Sequence, residues 1–402
     1  MVLTTQPSKL TAAQFFLWPF IAASELVAAQ ADGVARVMAA ACAEPSAPTK
    51  PSWATVNTVR LDLATMELRD FSTAANGAAT LVCAPFALHG ATLADFAIGH
   101  SLVQTLARSG CHRLFVTDWR SATKDMHLLT IDNYLAELNV AVDEIGTPVD
   151  LVGLCQGGVM ALIYAARFPA KVRKLVLAGA PIDVDAAPSL LSMTAQSLPL
   201  SVFDEVVRLG EGRVQGQRVI ELWRPALSGH DAIAALQVEP CADAEQAALL
   251  ERFNAWFDWT VDLPGAYYHQ TVLWLFKENR LAEGRFNALG RQIDLAEVRH
   301  PLLLLAARDD ELVAPEQIMA VRRRVGTAPA QIESVLLPGN HLSLFIGARS
   351  LTDAWSRIGR WLAQSCNTYV PGASQSDVSP RDALPVGGGS TKPPECPFSQ
   401  ST

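Results

Sequence analysis

The stretch that most limits what this chain can fold into is Val149-Asp150-Leu151-Val152-Gly153-Leu154-Cys155-Gln156-Gly157-Gly158. Its Val- and Leu-rich opening predicts a strand buried on both faces. The G-x-C-x-G-G turn follows, and Val159 to Ala166 then predicts a helix. Strand, tight turn and helix with a reactive residue at the tip is the nucleophile-elbow pattern, here carrying Cys155 where serine is commoner. Gly153 and Gly157 flank the cysteine where the backbone must fold back without a side-chain clash. A buried structural cysteine beside an ordinary βα turn is the simpler alternative. It does not require all three elements in sequence, and all three are present, so Cys155 is expected to be a catalytic nucleophile.

A nucleophile of this kind needs partners, and the last third of the chain offers them. Leu302 to Ala307 predicts a buried strand that runs into Arg308-Asp309-Asp310-Glu311-Leu312-Val313-Ala314-Pro315. Acidic residues just past a strand end lie at the sheet edge where open α/β folds place their sites. The next strand, Ile332 to Leu337, leads into Pro338-Gly339-Asn340-His341. The order nucleophile, acid, histidine is that of the α/β-hydrolase architecture. Of the eight histidines, only His341 stands after the last strand and before the final helix. Position alone leaves both Asp309 and Asp310 open as the acid, since either could instead cap the following helix.

A thiol of pKa ~8.5 is mostly protonated at neutral pH, so an imidazole must take its proton or pair with the thiolate. An acid on the other ring nitrogen fixes the tautomer. A tetrahedral oxyanion needs backbone N–H donors. The Gln156 amide at the helix start is the expected one. A second is expected from the loop Pro85-Phe86-Ala87-Leu88-His89-Gly90, with Phe86 as the candidate, although His89-Gly90 could equally be a plain turn. An acyl group moved from a thioester onto cysteine stays a thioester and remains reactive toward a hydroxyl. That points to acyl transfer and leaves ester hydrolysis open.

Taken in order, Ala12 to Ala23 (AAQFFLWPFIAA) is apolar but short of the ~20 residues that span a bilayer. It is expected to open a helix that either docks on the domain or anchors to a lipid-like or polymer surface through Phe15, Phe16, Leu17, Trp18 and Phe20. Residues 1–52 form this helical region and a Pro-rich linker. Residues 53–184 carry the first part of an α/β core. It starts with a hairpin of Thr58 to Leu63 and Met66 to Phe71, followed by strands Ala79 to Leu88, Arg113 to Trp119 and Arg173 to Ala180. Helices are expected at Ala94 to Ser109 and Ile131 to Ile145. Residues 185–290 break the rhythm, are helical and rich in Trp, and read as a cap over the site. Residues 291–368 return to the core and end in a helix over Leu351 to Gln364, and 369–402 read as a disordered tail. The fold class is therefore α/β, a mostly parallel central sheet with helices on both faces and a helical cap insertion.

Charge narrows the function classes. With 32 basic and 40 acidic residues, a net charge of −8 and no basic tract, the chain does not present a nucleic-acid surface. Seven scattered cysteines without C-x-x-C or metal-ligand spacing point to reduced thiols in the cytoplasm. No secretory signal or transmembrane span is evident, and no metal is expected.

The box Gly153-Leu154-Cys155-Gln156-Gly157-Gly158 resembles that of polyhydroxyalkanoate synthases, particularly the shorter, two-component type. Val116-Thr117-Asp118-Trp119, Leu129-Thr130-Ile131-Asp132-Asn133-Tyr134, Phe253-Asn254-Ala255-Trp256 and Asp262-Leu263-Pro264-Gly265 before Tyr267-Tyr268 are similar to further family segments, in order. Asp310 to Pro315 is similar to the family's acid loop and so favours Asp310. The resemblance, over roughly residues 75 to 365, implies Cys155 as the acyl-bearing nucleophile and His341 as its base. Asp310 would serve the histidine or the incoming hydroxyl. It implies a 3-hydroxyacyl-CoA thioester as substrate, no separate cofactor, and a growing polyester chain or granule as partner in the cytoplasm. It also implies an activating second subunit and a homodimer. Three departures stand out. Glu311 occupies a position usually His, Asn340 one usually Gly, and Phe86-Ala87-Leu88-His89 replaces an Asn-Lys-aromatic stretch. Intracellular polyhydroxyalkanoate depolymerases share the cysteine elbow, so hydrolysis of the same polyester is the alternative activity. A catalytically silent granule-binding protein is a third reading.

Overall fold

The computed structural model describes residues 49–223, 231–239 and 243–364. The expected N-terminal surface helix and the expected tail from 369 onward lie outside these residues, as do four of the cysteines.

Eight strands form one sheet: β1 (Thr58–Asp62), β2 (Met66–Asp70), β3 (Ala79–Cys83), β4 (Arg113–Trp119), β5 (Val149–Leu154), β6 (Val172–Ala178), β7 (Leu302–Ala307) and β8 (Ile332–Leu337). Their spatial order is β1-β2-β4-β3-β5-β6-β7-β8. The first two strands pair as the expected antiparallel hairpin, β2 runs antiparallel to β4, and every later pairing is parallel. β5 and β7 are buried along their whole length, as uninterrupted apolar runs require in a sheet covered on both faces. The one charge inside β5, Asp150, is matched by Arg173, whose Nε donates to its carboxylate at 2.8 Å and whose second nitrogen also pairs with it.

Helices α1 (Leu102–Arg108), α2 (Ile131–Ile145), α3 (Gln156–Arg167) and α8 (Ser356–Ala363) belong to the sheet region. Between β6 and β7 the chain is mostly helical, as expected, and includes α4 (Leu190–Ser197), α5 (Leu200–Leu209), α6 (Ala244–Asp258) and α7 (Gly265–Gln270). α7 runs straight into a wider π-type turn over Thr271–Lys277.

Three boundaries differ from expectation, each for a local reason. β3 stops at Cys83 instead of reaching Leu88. The next peptide is held from β4: the Ala84 N–H donates to Thr117 Oγ1 at 3.0 Å, and Trp119 Nε1–H donates to the Ala84 carbonyl at 2.8 Å. Pro85 then has no N–H to continue a ladder. α1 starts at Leu102, not Ala94. Asp95 is drawn into hydrogen bonds with the Thr55 N–H and hydroxyl and with the Ser101 hydroxyl, and Ser101 caps the helix by accepting from Gln104 N–H at 2.9 Å. β6 ends at Ala178, because Gly179 turns away at φ +55°.

Candidate active site

Cys155 sits between the end of β5 and the start of α3 with φ +50° and ψ −123°. A non-glycine residue in that region costs about 1–3 kcal/mol and persists only where its surroundings hold it. Here they do. The Cys155 N–H donates to the Ala178 carbonyl and the Gly158 N–H donates to the Cys155 carbonyl, both at 2.8 Å. A Cβ on Gly153 would collide with the Gly158 Cα and lie 2.8 Å from the Ala161 Cβ. One on Gly157 would run into the Cys83 carbonyl oxygen and lie 2.7 Å from that of Ala84. The glycines let the helix start press against β3 and β5, so the cysteine is pushed out at the bend. Its side chain is partly exposed, while Cys83 and Cys111 are buried. Burial pushes the Cys83 thiol up to about 12 and the Cys111 thiol up to about 11, so neither is available as a thiolate near neutral pH.

β7 and β8 are parallel neighbours, so the loops that follow them emerge side by side. The first carries Asp310 and the second His341, and His341 Nδ1 meets Asp310 Oδ2 at 2.7 Å. The other carboxylate oxygen accepts from the Leu312 and Val313 N–H groups at 3.0 and 2.8 Å. Asp310 thus caps its own loop and orients the histidine at once. Asp309 is exposed and bonds instead to Gly339, whose N–H donates to its carboxylate at 3.3 Å.

On its other side His341 stands beside Cys155. The residue is 4 % exposed, and its ring stands edge-on to Phe345 at 5.4 Å and lies 3.2 Å from where a Gly179 Cβ would be. Burial alone would push the imidazole down, but the Asp310 carboxylate and the neighbouring Cys155 outweigh it and hold it well above its ordinary 6.5.

Gln156 opens α3, and its backbone N–H has no acceptor among the described residues, as suits an oxyanion donor. The expectation for Phe86 needs correction. Its N–H is already committed to Gln156 Oε1 at 3.1 Å, so it is not free to meet an oxyanion. His89 is a structural residue: it stacks on Trp256 at 4.4 Å, and burial pushes its imidazole down to about 4. Cys155 opens on a cavity of about 180 Å³ with largely apolar walls, formed by Leu88 on the sheet side and by Leu191, Phe203, Leu263 and Tyr268 from the helical segment.

This geometry meets a sequence match. The family described as the alpha/beta hydrolase fold matches residues 86–348, a span that includes the elbow, both partner loops and the helices over the cysteine. The chain belongs to the alpha/beta hydrolase family. It is similar to the poly(3-hydroxyalkanoate) polymerase subunit PhaC of Allochromatium vinosum, at 24% identity over 67% of this chain and 76% of that one. The protein of the same name from Synechocystis is 27% identical over 68% of this chain and 74% of its own. That from Haloferax mediterranei is 25% identical over 71% of this chain and 58% of its own. The likeness to polyhydroxyalkanoate synthases read from the motifs is thus borne out. Among the described residues of this alpha/beta hydrolase, no helix is long and apolar enough to cross a membrane.

Proposed function

We propose that the protein is an acyltransferase that extends a polyester from 3-hydroxyacyl-CoA, with Cys155 as nucleophile. The observation that carries this reading is the placement of His341, bonded to Asp310 through Nδ1, beside Cys155 at the mouth of an apolar cavity. The Cys155 sulfur attacks the thioester carbon, and the oxyanion is met by backbone N–H groups beginning with that of Gln156. Collapse breaks the bond to the CoA sulfur, which leaves with the proton held by His341. The neutral imidazole then takes the proton of an incoming hydroxyl while its oxygen attacks the acyl-cysteine, and the thiolate is restored. Each cycle adds one ester bond and releases one CoA. Asp310 keeps Nδ1 protonated throughout, so that Nε2 faces the sulfur.

The apolar lining suits an acyl chain, and the chain's net negative charge gives it no general attraction for polyanions. In this reading the enzyme works in the cytoplasm at the surface of the polyester it makes, with the homodimer and second subunit that the resemblance implies. Mixing the protein with 3-hydroxybutyryl-CoA is expected to release CoA in step with ester-linked product. Free 3-hydroxy acids from added polyester granules, with no turnover of the CoA thioester, would replace this reading with hydrolysis.

A further inference from the structure

The second oxyanion donor is not Phe86, and the reason points to what is. Three buried residues close a ring of hydrogen bonds. The Phe86 N–H donates to Gln156 Oε1 at 3.1 Å, the Gln156 Nε2–H donates to the Tyr267 hydroxyl, and that hydroxyl donates to the Phe86 carbonyl at 3.4 Å. Both backbone polar groups of Phe86 are therefore fixed. The Phe86 carbonyl and the Ala87 N–H belong to one planar trans peptide and point in opposite directions. Tying the carbonyl to Tyr267 thus aims the Ala87 N–H the other way. Ala87 lines the cavity together with Cys155 and Gln156, and its N–H has no acceptor among the described residues.

The surroundings keep the ring rigid. Phe86, Tyr134 and Tyr267 pack with ring centroids 4.7, 4.9 and 5.2 Å apart. Tyr267 is 1 % exposed, and its burial beside Tyr134 and Cys83 keeps the hydroxyl protonated and able to donate. The far end of the loop is also held: the Val261 N–H donates to the Leu88 carbonyl at 2.8 Å.

We propose that the Ala87 N–H is the second oxyanion donor, and that Tyr267 and the Gln156 side chain are positioning residues that aim it at the carbonyl on Cys155. The inference rests on Cys155 being acylated, whichever acyl donor the protein uses in the cell. Its test therefore uses p-nitrophenyl acetate, an activated ester, beside iodoacetamide. The ester forms an oxyanion on its way to acyl-Cys155, whereas iodoacetamide alkylates the same sulfur at a saturated carbon and needs no oxyanion donor.

In Tyr267→Phe, p-nitrophenol release is expected to fall on the order of tenfold to a hundredfold in kcat with little change in KM, while Cys155 alkylates at the parent rate. Gln156→Leu, which keeps its own backbone N–H, is expected to do the same should Tyr267→Phe fold poorly. Equal losses in both reactions, or none in either, would overturn the proposal. So would a parent protein that alkylates at Cys155 but is not acylated by the ester. The acyl-CoA reading stands or falls separately, on CoA release by the parent.

Discussion

Exchange of His341 for glutamine is expected to slow acyl transfer by three to four orders of magnitude, measured as CoA release from 3-hydroxybutyryl-CoA. Glutamine has similar bulk and can still hydrogen-bond Asp310, so the variant should melt cooperatively. What it lacks is a group that can hold and return a proton beside Cys155. The pH dependence carries a sign. His341 is held well above 6.5 by Asp310 and Cys155, against the opposing effect of its burial. A histidine raised in the folded state adds stability that is fully present below about 6.5 and is lost as pH rises through its folded-state value. Between those limits the parent should lose Tm with rising pH, and His341→Gln should lose less. A variant with near-parental turnover would remove the histidine from the chemistry.

Gly157→Ala is expected to be among the most damaging single-methyl additions in the protein. The new Cβ would press into the carbonyl oxygens of Cys83 and Ala84, which are backbone atoms and cannot rotate aside. Relief requires α3 to back away from β3, which displaces Cys155 and the Gln156 amide together. Overpacking of this kind costs about 3 kcal/mol or more, read as a fall of several degrees in Tm, and activity should fall with it. Gly77→Ala is the matched control. Its φ of +109° brings backbone strain, but nothing lies within 4 Å of the new methyl. A Gly157→Ala protein that melts with the parent would mean that the elbow is looser than the contacts require.

The elements read most cleanly from sequence are those whose limits are set by their own residues. The strands Arg113–Trp119, Leu302–Ala307 and Ile332–Leu337 and the helix Ile131–Ile145 stand where apolar periodicity placed them. The stretches read too long, Ala79 to Leu88 and Ala94 to Ser109, are cut short by distant partners. Trp119 and Thr117 capture Ala84, and Thr55 captures Asp95, contacts that no local pattern announces.

The same divide runs through the site. Cys155, Asp310 and His341 could be placed because chain order and strand ends locate them, and the parallel pairing of β7 and β8 brings the last two together. Position alone leaves Asp309 and Asp310 open, because both carboxylates find N–H partners, whereas the acid-loop resemblance favours Asp310 and the loop's geometry puts Asp310 on the histidine. The Phe86 amide was misread because its acceptor lies 70 residues away, and the Tyr267 hydroxyl pairs with Gln156 across 111. A carboxamide directly after the nucleophile was the one local hint of a side-chain role there.

The central claim is that Cys155 carries the acyl group. Brief exposure to 3-hydroxybutyryl-CoA followed by peptide mass spectrometry tests it directly. The account predicts a hydroxyacyl adduct on the peptide containing Cys155, absent from Cys155→Ala and from the peptides containing Cys83 and Cys111. CoA release without any adduct at Cys155, or with undiminished release from Cys155→Ala, would contradict it.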